Sequence, residues 1–417
     1  MSFRFAARAE PALARARLGV FGYFATSGFI MGCWAAGLPA LEERLELGPA
    51  RLGNALLLIA AGALVSMLLT GRACDRFTSR RVTRIAGPIS ALALVGPALA
   101  GGVSQLMILA IVYGLTVGAI EVSMNVNSIE VETYYKRPIV SAFHGLWSLG
   151  GAVGGGLTAL GNTVGFDPQT MLAGGALIGA VGFLVFGRML LPPPHLATEV
   201  SASDADGTRP RPNGMRWGVI LLLGIVAFAG HISEGAAIDW AAVHARQVLD
   251  VGLGTAPIAY TVFSVAMTVV RLLGDPIRAR LGSARTLLAA GILATAGFGL
   301  VLIAPAVAAP AMLVACAGWF LAGAGLATVI PVIFSAVGAH GGSVGKALST
   351  VTVFGSAGLL IGPAAIGHLA EATSLPAALI VPALLAALVA VSGPPAIRAL
   401  AAGRPDPAKR TDVPEPV

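Results

Sequence analysis

Uncharged stretches alternate with short charged ones along the whole chain. No Asp, Glu, Lys or Arg occurs over 18–41, 52–71, 85–120, 138–166, 168–187, 217–233, 251–270, 286–345, 347–370 or 372–397. A helix rising 1.5 Å per residue needs about 20 apolar residues to cross the hydrocarbon of a bilayer. Most runs therefore hold one crossing, while 85–120 and 286–345 each hold two, with turns predicted at Gly101–Ser104 and at 304–310. Ten runs become twelve helices. Within a run the apolar residues are continuous, whereas the strands of a membrane barrel alternate over about ten residues, so strands are excluded.

Composition sharpens this reading. The chain is 56% apolar and 11% charged, with mean hydropathy +0.83, where soluble domains carry about 25% charged residues. The fold class predicted is all-α and polytopic, with no soluble core to which these helices could turn a polar face. The first run has basic residues before it but is too long for a cleaved signal, and further crossings follow it. Cys33, Cys74 and Cys316 show no paired spacing, which argues for neither a disulfide framework nor a metal site. No cofactor is expected.

Charge then sets orientation. With both termini cytoplasmic, all but Arg44, Arg51 and Arg246 of the 27 basic residues fall on the inside, as the positive-inside rule requires. The net charge of +7 follows from that bias. The arginines are spread over many short loops, which excludes nucleic acid as a partner and leaves membrane lipid.

Residues 191–214, LPPPHLATEVSASDADGTRPRPNG, are the one long interior segment rich in Pro, Ser, Asp and Gly, and they read as a linker. They divide the chain into a six-helix bundle over 1–190 and a second over 215–397, with a cytoplasmic tail over 398–417. The halves echo each other: GRACDR at 71–76 carries Asp75 just beyond the second crossing, and RLLGDPIRARLG at 271–282 carries Asp275 just beyond the eighth. Two like bundles rocking about a site between them is how many secondary carriers alternate access.

The 6+6 count, the linker, and Gly71, Asp75 and Arg76 followed by Arg80 and Arg81 resemble the major facilitator superfamily. The chain departs from that family's loop at Thr78, where a glycine is usual, and at Ser79, where a basic residue is usual. GCWAAGLPALEERL at 32–45, EVSMNVNSIEVE at 121–132, RPIVSAFHGLWSLG at 137–150, EGAAIDW at 234–240 and GLATVIPVIFSAVG at 325–338 are similar to the fucose-permease-like bacterial branch. The resemblance implies a monomeric carrier in the bacterial cytoplasmic membrane. It also implies that Asp75, with Arg76 and Arg80, latches the outward-open state against the eleventh crossing. Asp275 and Arg271 would be its partial counterpart. The plain alternative is that these residues anchor the loops at lipid phosphates.

Few titratable groups lie inside the crossings, where a charge costs about 2.5–3.5 kcal/mol or more. They are Glu121 in the fourth crossing, His144 in the fifth, and His231 and Glu234 in the seventh. Glu121 and Asn125 share a helix face, extended by Ser128, as do His231 and Glu234. Together they form a candidate site for a small polar solute and a proton, with Trp34 and Trp147 placed to stack on a sugar-like ring; interhelical hydrogen bonding and plain packing are the alternatives. Asp239–Trp240 reads as interfacial anchoring near the outer helix end. Pro331 and Pro363 each remove a helix hydrogen bond, predicting bends of use in gating.

The predicted function is a secondary active transporter of a small polar solute, such as a sugar or sugar derivative, by proton symport and alternating access. A proton-coupled exporter and a transport-inactive receptor remain alternatives. A membrane enzyme is disfavoured because no nucleophile, base or metal cluster forms at one face. No phosphate-binding loop supports ATP coupling.

Overall fold

The computed structural model describes residues 2–135, 139–191, 216–307, 310–339 and 344–402. The linker, the tail beyond 402 and His340 lie outside them. The described residues are helical throughout, in the order α1 (Ser2–Leu45), α2 (Gly48–Phe77), α3 (Ser79–Ala93), α4 (Val95–Leu99), α5 (Val103–Tyr135), α6 (Val140–Val164), α7 (Pro168–Gly187), α8 (Trp217–Gln247), α9 (Pro257–Leu281), α10 (Ser283–Ile303), α11 (Ala311–Leu326), α12 (Val329–Gly338), α13 (Val344–Ala372) and α14 (Leu375–Ala402). Two crossings are built from two pieces each, α3 with α4 and α11 with α12. Among the described residues eleven spans are long and apolar enough to cross a membrane. The remaining helix, α6, supplies the twelfth: its 25 residues are long enough, but seven glycines with His144, Trp147 and Asn162 dilute its hydropathy.

Both predicted turns are present, at 100–102 and in the short helical turn Ala304–Ala306 that precedes α11. Pro331 acts as expected. It has no N–H to give the Ala327 carbonyl, and the crossing breaks at Ala327–Thr328 between α11 and α12. Around Pro363, α13 continues as one helix.

Lipid cannot drive helices together hydrophobically, so close backbone packing does more of the work. Large apolar side chains such as Leu68, Ile108 and Val391 point outward, while Trp240, Trp319, Tyr23 and Tyr113 fill the interior. Small residues mark the closest approaches. A Cβ on Gly114 or Gly118 of α5 would strike the backbone of Ile59 or Ala63 of α2.

Helices α1 to α7 pack chiefly on one another, as do α8 to α14. The principal contacts between these groups are α6 with α9, α2 with α13, and α1 with α8 and α9. The start of α1, the end of α14 and the described residues on either side of the linker share one face of the protein, here called the linker face. At the opposite, far face the groups are joined by a layer of polar contacts. Arg246 Nε donates to Glu43 Oε2 at 3.2 Å, and Asn162 Nδ2 to the Leu253 carbonyl at 3.1 Å. His368 Nε2 meets Asn54 Oδ1 at 3.0 Å, and Ala50 N donates to Glu371 at 3.4 Å. Beneath this layer Gly53 and Gly367 bring α2 and α13 together, each leaving no room for a Cβ against the other. At the linker face Arg72, Asp75, Arg76 and Phe77 at the end of α2 are exposed.

Candidate functional site

A polar cluster sits at mid-depth where α6, α8 and α9 converge. Arg271 Nη2 donates to Glu234 Oε1 at 2.8 Å and Arg271 Nη1 to Ser148 Oγ at 2.8 Å. Each charged side chain is only 13% exposed. The ion pair lies within the second helix group, and the bond to Ser148 reaches across to the first. A guanidinium with two partners keeps donors in reserve, since it carries five N–H groups in a fixed fork. His144, one turn before Ser148 on α6, is within electrostatic reach of Arg271 and packs edge-on against Phe24 at 5.1 Å.

This placement corrects the expectation for Arg271. Sequence places it in the loop beyond the eighth crossing as a gating residue; in the fold it is ten residues before the end of α9, about 15 Å along the helix from that end, and it joins the polar cluster. Glu234, read as lacking a cation on its own helix, draws one from α9 instead.

Glu121 occupies the middle of α5. It is exposed. Asn125 Nδ2 donates to the Glu121 carbonyl at 2.8 Å, and Ser128 Oγ to the Asn125 carbonyl at 2.7 Å. Ser128 is fully buried, so the polar face ends at Asn125. His231 does not join Glu234. Its Nδ1 meets the Ala227 carbonyl at 2.9 Å, and its ring fills the space beside Gly355 of α13. Trp34 is buried and packs on Tyr113 at 5.8 Å, so it offers no ring to a solute in this state; Trp147 is partly exposed.

Asp239–Trp240 is the residue pair that sequence reasoning misplaced. Trp240 is wholly buried and its Nε1 has no partner, which ends the interfacial reading. Asp239 is eight residues from the end of α8, about 12 Å inside it, and partly exposed. The signal was the absence of any cation near it in an apolar run.

At the linker face Asp75 is exposed, and among the described residues no hydrogen bond or ion pair reaches it. Arg76 lies over the Phe77 ring at 5.3 Å, while Arg80 is half-buried with Nε unpartnered. Two local substitutions have physical accounts. Thr78 has φ +72° and ψ +140°, and Gly282, which joins α9 to α10 as Thr78 joins α2 to α3, has φ +75° and ψ +156°. The family's glycine position therefore keeps its glycine backbone here while holding a β-branched residue. Ser79 Oγ lies 2.8 Å from both carboxylate oxygens of Glu130 on α5, so a hydroxyl stands where a basic side chain is usual. Matching Thr78 to Gly282 also shifts the internal repeat. Asp75 precedes its joint by three residues and Asp275 by seven, which puts position 275 one helical turn deeper; its side chain lies outside the described residues.

The comparisons agree with this architecture. The chain is 33% identical over 379 residues to an uncharacterized transporter, y4wD, of Sinorhizobium fredii, covering 90% of this chain and 97% of that one. Among solved structures, a D-xylose-proton symporter superposes with TM-score 0.71 at 15% identity, over 90% of this chain and 97% of the other. A point mutant of the nucleoside transporter NupG gives 0.70 at 13%, over 93% and 99%. The sequence profile of the Major Facilitator Superfamily matches residues 19–342, and the chain belongs to that family.

Proposed function

We propose that this protein is a proton-driven secondary carrier of a small polar solute in the bacterial cytoplasmic membrane, with the linker face in the cytoplasm. The observation that carries the reading is the Glu234–Arg271–Ser148 cluster: charges held at mid-depth, across the line where the two helix groups meet, in a member of a transporter family. Intramembrane charge of this kind marks solute and ion pathways. The helix groups over 1–190 and 215–397 act as the two rocking bodies, joined by the linker over 191–214 and followed by the tail over 398–417. In this reading the polar layer closes the far face, the present state is inward-open, and Glu121 faces the cytoplasmic opening. Asp75 takes up its latching role only when the linker face closes.

Glu121 and Glu234 then divide the work. Glu121 exchanges protons with the open side. Glu234 is paired with Arg271 in this state and is freed when solute hydroxyls or helix movement take up the guanidinium. Solute class follows from the chemistry of the cluster, a fork of N–H donors beside a carboxylate and a hydroxyl, which suits hydroxylated solutes such as pentoses, nucleosides and sugar derivatives. The test is uptake by purified protein in liposomes of radiolabelled D-xylose, L-fucose, uridine and D-gluconate, with a pH gradient imposed or collapsed. Gradient-dependent accumulation of one of them is expected. Extrusion against the same gradient would establish an exporter, and absence of accumulation, extrusion and exchange for the whole panel would overturn the carrier reading for these solutes.

A further inference from the structure

The two helix groups meet along two main seams. Between α6 and α9, Tyr260 seats in a notch at Gly151 and Gly155, where missing side chains leave room for its hydroxyl and ring edge. Between α2 and α13 the seam at the far face is of another kind. These helices run antiparallel, α2 away from the far face and α13 toward it, so the first turns of α2 lie against the last turns of α13. Gly53 and Gly367 let the backbones approach, with the Pro49 carbonyl set beside Gly367. His368 Nε2 meets Asn54 Oδ1 at 3.0 Å, and Glu371 Oε2 accepts from Ala50 N at 3.4 Å.

The charge of Glu371 is misplaced for its own helix. It stands in the last turn of α13, at the negative end of that helix's dipole, where a cation is favoured. It is well placed for α2. The first N–H groups of a helix have no partner within it, Leu47 gives α2 no side-chain cap, and Pro49 brings no N–H. The Glu371 carboxylate occupies the capping place from the other helix group. Gly48 admits it: the residue has φ +65°, and a Cβ there would lie 3.1 Å from Glu371 Oε2. Among the described residues no ion pair holds Glu371. The other end of the same helix pair repeats the arrangement with the roles exchanged. Asp75 stands in the last turn of α2, at the face where α13 begins, exposed and without a bonded partner among the described residues.

We propose that Glu371 is a far-face latch: its carboxylate caps the N-terminus of α2 while the far face is closed and leaves it when α2 and α13 part there. Each of the two antiparallel helices then carries an acid in its last turn, and docking of one acid requires the other end of the pair to be apart. Glu371 takes no part in holding solute or proton; it biases which face is open. The use of that bias in transport rests on the carrier reading, whereas the bias itself is measured without any solute.

The experiment is double electron–electron resonance on protein in lipid nanodiscs. The native cysteines are replaced by alanine, and nitroxide labels are placed at the exposed positions Ser104 at the start of α5 and Ala306 ahead of α11, one on each helix group at the far face. Glu371→Gln keeps the side chain's size and removes its charge. It is expected to raise the ratio of far-open to far-closed molecules about two- to fivefold, the range for one charge at a helix terminus. Glu371→Lys puts a cation against the positive helix end and is expected to raise the ratio further. Asp75→Asn is expected to shift it the opposite way. An unchanged distance distribution in both Glu371 variants would overturn the latch, and a shift by Asp75→Asn in the same direction as Glu371→Gln would overturn the exchange between the two ends. Failure of the wild type on the whole solute panel counts against the carrier reading alone, since the distance measurement decides the latch by itself.

Discussion

Neutralising one partner of the central ion pair should cost more than neutralising both. Arg271 and Glu234 are 2.8 Å apart and each 13% exposed, so their attraction at an effective dielectric constant of 20 is about 6 kcal/mol before desolvation is subtracted. Removing one member of such a pair strands the other and typically costs about 3–5 kcal/mol. At about 2.1 cal/mol/K per residue, the 417-residue chain has an unfolding entropy near 0.9 kcal/mol/K, so that cost lowers Tm by about 3–6 °C. Arg271→Gln and Glu234→Gln should each show this loss in thermal unfolding followed by tryptophan fluorescence in detergent. The double variant leaves no stranded charge and should unfold no lower than the better single variant. Additive losses, about 7–11 °C for the double variant, would refute the pairing argument.

Two further outcomes follow from backbone and packing. Thr78→Gly should raise stability, because a β-branched residue at φ +72° is strained by about 1–3 kcal/mol, and Gly282→Thr should lower it by a similar amount; the same Tm measurement reads both, with shifts of about 1–3 °C. Gly151→Ala puts a methyl against the buried Tyr260 hydroxyl and should open the far face, increasing labelling of Cys33 by an impermeant maleimide from that side. Adding Tyr260→Phe removes the clashing oxygen and should return labelling toward the wild-type level. Unchanged Cys33 labelling in Gly151→Ala would count against the notch as a closure.

Much of the fold was legible because lipid imposes a coarse rule on sequence: a crossing must be long, apolar and free of charge. The turns near residues 101 and 307 and the break ahead of Pro331 follow from that rule and from proline's missing N–H. The site was legible only in part. Cost in lipid selects Glu121 and Glu234 from sequence, but it does not say which neighbour a side chain meets. His231 turned out to lie against Gly355, Trp34 against Tyr113, and Ser128 within the core. Such partners are set by helix rotation and by contacts between distant segments, and neither leaves a periodic trace along one chain.

Arg271 shows where the rule itself misleads. Reading each charge as the end of a crossing is sound when the charge faces lipid, since an arginine there has no compensation. An arginine turned inward toward a carboxylate and a hydroxyl is subject to a different balance, because the pair can be tolerated at mid-depth when its hydrogen bonds are made. Helix α9 accordingly continues through Arg271 to Leu281. The two cases are indistinguishable from the charge alone, yet they differ in what precedes them: an arginine at a true boundary needs no acid at matching depth, whereas Arg271 requires one, and Glu234 stood in the neighbouring crossing without a cation of its own.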